Sequence, residues 1–335
     1  MTSIRPAGEA AGNRGTARRA GTGGAVTLLV LVTLGALVPL VGPSAALHGT
    51  GESAAPGVGG IALLRAVLFA ALCVPLGELF VRRLARAVPG APAELPRSWA
   101  VWAAGAGFAA ALGLASVVAT GNLVPHGPGQ IDVGGLYASR DGKLALLEVN
   151  AFAVAGLCAR SGRPGAQVWP LAAVAVAEAL RAHPVTEHGP LAGSALTLVH
   201  LLCASLWTGG LLYALRTLRR WGADRVGAAL LGLYARVAAV LLGALTATGV
   251  WSTLRRMPPE TVPEQLTTTA YGRALLAKVL LVAAVGALAL WARIRLSRAA
   301  DPLAACSPAR AEVVVLAVVV AVSGLLTALP VPIRW

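Results

Sequence analysis

The side chains able to do chemistry gather between residues 178 and 203. His183, Glu187 and His188 fall close together in EALRAHPVTEHGP, and His200 and Cys203 follow in TLVHLLCASLWTGG. The first group can bring two imidazoles and a carboxylate to the mouth of a bundle. His200 and Cys203, spaced i and i+3, share one face of a helix and can offer nitrogen and sulfur together. Imidazole and thiolate suit copper or zinc, whereas a hard-cation site would want clustered carboxylates. Cys203 has a second reading, because a helical cysteine commonly serves as a small core residue. Met1 and Met257 are the only methionines, too few to line a thioether path for cuprous ion.

The elements that position these residues must belong to a membrane. The 335-residue chain is 57% hydrophobic and 13% charged, with mean hydropathy +0.73, against about 25% charged in a soluble domain. Apolar runs of roughly 18 or more residues recur from Ala25 onward. Backbone groups in lipid must be satisfied internally, and the sequence lacks the alternation of a barrel. The chain is therefore expected to be all-α, a polytopic helical bundle of about nine spans. These lie near 25–46, 61–81, 99–119, 142–159, 168–182, 194–215, 227–250, 272–292 and 311–329, the fifth being short. Residues 1–24 form a basic tail, 25–182 an N-terminal membrane region of about five spans, and 183–332 a second membrane region of about four.

Charge sets the expected orientation. Loops within 5–19, 82–97, 160–163, 216–225 and 293–310 hold 18 of the 28 basic residues; the alternate set holds seven, and Arg65, Arg236 and Lys278 lie within spans. By the positive-inside rule the N-terminus is cytoplasmic and the C-terminus external. The net charge of +14 does not indicate nucleic acid, because no basic cluster is interleaved with stacking aromatics. Ser44 and Ala46 in GPSAALHGT offer a small-x-small cleavage pattern, which would make residues 1–46 a signal peptide and leave eight spans. The apolar run is longer than an ordinary signal core, which favours a retained span. Cysteines at 73, 158, 203 and 306 form no CxxC and no disulfide framework.

With that orientation every histidine falls on one side. His48, His126, His183 and His188 occupy outer loops or their edges, and His200 lies about two turns into a span entered from outside. The cytoplasmic loops are equally polar and contain none. Arg65, Glu148, Glu178 and Lys278 occupy the outer parts of their spans, where ionisable groups are costly. They are either structural ion pairs, with Arg65 and Lys278 snorkelling outward, or a polar vestibule beneath the histidines.

Four stretches then occur in order: HLLCASLWTGGLLYAL (200–215), LYARVAAVLLGALTATGVWSTL (233–254), YGRALLAKVLLVAAV (271–285) and ARAEVVVLAVVVAVSGLLTALPVP (309–332). Together they resemble the copper resistance protein D (CopD) family of bacterial inner-membrane proteins. The carrying residues are His200 with Trp207, Gly209 and Gly210; Thr248–Gly249; Tyr271, Gly272 and Lys278; Glu312; and Pro330 and Pro332. The resemblance covers roughly the last 135 residues, with His183 just before them. It implies a multi-pass protein of the cytoplasmic membrane that handles copper ion and moves it inward from the outer face. It makes His183, His188, His200 and Cys203 the first candidates for ligands, with Glu187, His48 and His126 behind them. It also implies roles for Gly209 and Gly210 in close helix approach and for Trp207 in packing. No outer loop is long enough to be a copper-binding module, so a separate extracytoplasmic copper-binding protein is an expected partner beside the lipid bilayer.

Two other functions fit the same residues. A haem-binding electron carrier needs two histidines well inside spans, and only His200 qualifies outright. A factor that assembles a copper oxidase would pass metal to a partner instead of across the bilayer. An enzyme is not expected: the chain has no Gly-rich phosphate loop, no HExxH and no Gly-x-Ser-x-Gly.

Overall fold

The computed structural model describes residues 29–121, 123–125, 127–161, 163–183, 189–222, 225–298 and 306–330. Its long helices are α1 (Leu29–Leu47), α2 (Val58–Arg86), α3 (Ala100–Ala119), α4 (Arg140–Arg160), α5 (Val168–Arg181), α6 (Pro190–Trp221), α7 (Arg225–Arg256), α8 (Ala270–Arg298) and α9 (Cys306–Leu326). No strand occurs among the described residues. Among the described residues seven helices are long and apolar enough to cross a membrane, so the count of nine spans holds only in part. The apolar part of α9, Ala311–Leu326, is shorter. Helix α5 has 14 residues and reaches about 21 Å, against the roughly 30 Å of a hydrocarbon core. It compensates by burial, since Leu171, Val174, Ala175 and Ala177 are sealed inside the bundle.

Local chemistry sets the helix ends. Ser139 accepts from Gly142 N at 3.1 Å and starts α4. Helix α6 opens with Pro190 after a left-handed Gly189 and closes at Gly222, also at positive φ. Two short helices that the hydropathy pattern does not reveal, Val133–Ala138 and Val262–Thr268, occupy the connections before α4 and α8.

Helix α2 is the hub, packing on α3, α5, α6, α7 and α9. Its first half joins a core with Ala111 and Leu114 of α3, Phe152 of α4 and Leu171 of α5. Its second half joins another with Trp207, Leu211 and Tyr213 of α6, Leu230 and Tyr234 of α7, Val285 and Leu316. Helices gain no hydrophobic drive from leaving lipid for one another, so close backbone approach matters more. A Cβ on Gly209 would meet the carbonyl of Cys73, and one on Gly77 would strike the backbone of Gly209 and Gly210. Gly324 of α9 also lies close against the backbone of Ala62 and Ala66 of α2.

The bundle has two chemically distinct ends. One, here the histidine end, carries His48, the end of α5 and the start of α6. The other, the arginine end, carries Arg82, Arg83, Arg86, Arg216, Arg219 and Arg220. Trp102 and Trp169 lie exposed at the arginine end and Trp251 at the other, the placement of indoles at membrane interfaces.

Candidate functional site

His200 projects from α6 toward α7, where its Nδ1 lies 2.9 Å from Thr248 Oγ1. The Thr248 hydroxyl has one proton and donates it at 2.7 Å to Ala244 O, with Leu245 O at 3.2 Å. A Thr248 hydroxyl that donates to Ala244 O accepts from His200, the tautomer with the imidazole proton on Nδ1 and the lone pair on Nε2. This is the outer-sphere arrangement that orients an imidazole for a metal. Gly249 touches the ring edge, its Cβ position 3.7 Å from Cε1. Lys278 of α8 is half-buried, makes no ion pair among the described residues, and exerts its charge on His200. Cys203, one turn below, is a half-buried free thiol packed against the apolar core around Trp207.

His183 does not stand in an open loop. It is 3% exposed, its Nε2 is 2.9 Å from Thr197 Oγ1, and its ring covers Gly193, where any Cβ would collide with it. The burial follows from the packing of α5 and His183 against the first turns of α6. His48 is exposed in the turn after α1, and its carbonyl accepts from Arg273 at 2.6 Å. His126, Glu187 and His188 lie outside the described residues.

These donors are not gathered. Among the described residues no three His, Cys, Asp or Glu side chains come together as a metal-holding group. His183 engages Thr197 of α6 from the end of α5, while His200 engages Thr248 of α7.

Beside His183 lies a charge cluster. Arg65 Nη1 of α2 is 2.6 Å from Glu178 Oε2, and Arg181 Nη1 is 2.8 Å from Glu148 Oε2 and 3.6 Å from Glu178 Oε1. Of the two sequence readings for these residues, ion pairing is the one realised for Arg65, Glu148 and Glu178. Arg181, which the sequence presents only as a loop charge, is the bridge. Removing one partner of a buried pair strands the other charge at about 3–5 kcal/mol. Arg181→Gln is therefore expected to lower thermal stability in detergent by that order. Arg220→Gln, which breaks the solvent-exposed pair with Glu94, should change it by less than about 1 kcal/mol. Equal stability of the two variants would show that the buried cluster contributes nothing.

The other motif residues also meet in pairs. Trp207 and Glu312 of α9 are both buried, and Tyr234 OH donates to Trp207 O at 2.6 Å. Tyr271 OH accepts from Arg256 at 2.9 Å, and Gly272 lies against the carbonyl of Gln265. At the arginine end, Glu78 is an anchor not singled out from sequence. It accepts from Ser98 Oγ at 2.5 Å, Trp99 N at 2.7 Å and Arg216 at 3.4 Å, while Arg216 stacks over Trp99 at 3.6 Å. The available signal was an acid inside an apolar run.

Residues 228–326 match the family model for copper resistance protein D. The match starts in α7 and ends with α9, so it contains Thr248, Gly249, Tyr271, Gly272, Lys278 and Glu312 but not the histidines of α5 and α6. No curated protein and no solved structure matches the chain.

Proposed function

From the copper resistance match over residues 228–326, we propose that this multi-pass membrane protein carries copper inward across the bacterial cytoplasmic membrane. The observation that carries this reading is the His200–Thr248 pair. A residue inside the matched segment orients an imidazole outside it, with the ligating nitrogen presented. The lack of any group of three donors among the described residues favours transit over storage, since a conducted ion must bind weakly enough at each site to leave. Copper is the cargo here, handed from His183 to His200, with Cys203 an auxiliary donor below. The histidine end faces outward, where a separate copper-binding protein would deliver the ion.

Two measurements test the reading together. Spheroplasts making the protein should accumulate copper faster than those lacking it, by severalfold at low external copper. A cysteine introduced at the exposed Ser53 of the histidine end should be labelled by a membrane-impermeant thiol reagent without lysis. Labelling only after lysis would reverse the orientation and turn import into export. Unchanged copper content with correct labelling would leave the protein without a transport role.

A further inference from the structure

The cluster of Arg65, Glu148, Glu178 and Arg181 has an imbalance that ion pairing does not resolve. Glu148 is 0% and Glu178 4% exposed. Each guanidinium engages one carboxylate oxygen closely, at 2.6 Å and 2.8 Å. Glu148 Oε1 and Glu178 Oε1 remain buried with no hydrogen-bond donor among the described residues. The two carboxyl groups nevertheless converge on one atom, Arg181 Nη1, which lies 2.8 Å from Glu148 Oε2 and 3.6 Å from Glu178 Oε1. Ionised carboxylates only accept hydrogen bonds, so two such groups facing each other away from water repel and leave lone pairs unmet.

We propose that Glu148 and Glu178 hold one proton between them, forming a proton-binding site at the histidine end of the bundle. A metal ion is a poor occupant, because Arg65 and Arg181 already hold positive charge against the same oxygens. A proton needs no coordination shell and satisfies both orphan oxygens with a single O–H···O bond. Loaded, the four groups sum to one positive charge; unloaded, they are neutral. Arg65 is the most exposed member, at 18% of its side chain. Around the cluster, α3 contains no titratable residue, α6 brings His200, Cys203 and, toward its far end, Tyr213 and basic residues, and Arg140 of α4 donates to Leu180 O at the end of α5. At the end of α5, His183 is engaged with Thr197. The four residues all lie outside the copper-family match, so the inference stands independently of the cargo.

The test is infrared spectroscopy of the purified protein in detergent at about pH 7, where exposed carboxyls are ionised. The wild type should show the carbonyl stretch of a protonated carboxylic acid, shifted by exchange into deuterated water. Glu148→Gln and Glu178→Gln should each lose that component, whereas Glu312→Gln, which alters the separate carboxyl beside Trp207, should retain it. If a glutamine variant fails to fold, Glu148→Asp keeps a carboxyl and should move the band instead of removing it. A wild type with no such band overturns the proposal. So does a band that persists unchanged in both glutamine variants or in Glu148→Asp.

Discussion

Replacing Gly209 with leucine is expected to abolish the folded bundle, while the same change at Gly243 leaves it intact. A Cβ at 209 falls on the carbonyl of Cys73, and that carbonyl belongs to the α2 backbone, which cannot turn aside as a side chain can. Gly77 sits opposite with no Cβ of its own, so the two helices approach at the smallest separation the chain allows. Overpacking costs about 1–3 kcal/mol where side chains can shift. Here α2 and α6 must part, and α2 carries both cores, so the loss should exceed about 3 kcal/mol. At Gly243 a Cβ meets nothing within 4 Å, and removing a helix-interior glycine gains roughly 0.5–1 kcal/mol. Monodispersity and thermal unfolding in detergent report the difference. A Gly209→Leu protein that elutes and melts like Gly243→Leu would mean that the α2–α6 contact is not made in the membrane.

The sequence makes some of this legible and hides the rest for identifiable reasons. Length and hydropathy locate the long helices, with ends displaced by up to six residues (215 against Trp221, 250 against Arg256), because side-chain transfer into lipid depends on composition while the helix ends extend beyond the apolar run. The shortness of α5 is also legible, since its apolar run is bounded by Pro164 and Arg181. The choice of partners is not. Arg181 counts as a loop charge in one dimension, yet the rotation of the last turn of α5 carries it onto Glu148 of α4. Glu78 is outvoted by the apolar residues around it, and its partner Arg216 is 138 residues away. His183 looks like a mouth residue because hydropathy cannot foresee that its ring packs against Gly193. For the central site, the sequence offers His200 and the Thr248–Gly249 dipeptide as separate features. Only packing of α6 on α7 joins them.

That join leads to the change with the largest effect on function. His200→Gln should leave the protein inserted and folded but remove its copper uptake, because glutamine can still hydrogen-bond Thr248 yet is a poor copper ligand. Thr248→Val tests the orienting role. It keeps the side-chain shape but deletes the oxygen that accepts from Nδ1, and loss of such an outer-sphere partner costs about 10–100-fold in metal affinity. Because Thr248 acts through His200, the double variant His200→Gln/Thr248→Val should be no worse than His200→Gln alone. Lys278→Gln should act in the opposite sense. Its charge is felt at His200 and opposes any cation there, so its removal should tighten copper binding severalfold in a medium of reduced dielectric. A purely structural histidine makes a different set of results. Thr248→Val would then strand a buried polar group and lower stability by about 1–3 kcal/mol, while uptake per folded molecule stayed constant in all of these variants. Copper uptake normalised to folded protein separates the cases, and normal uptake by His200→Gln would remove this imidazole from the path.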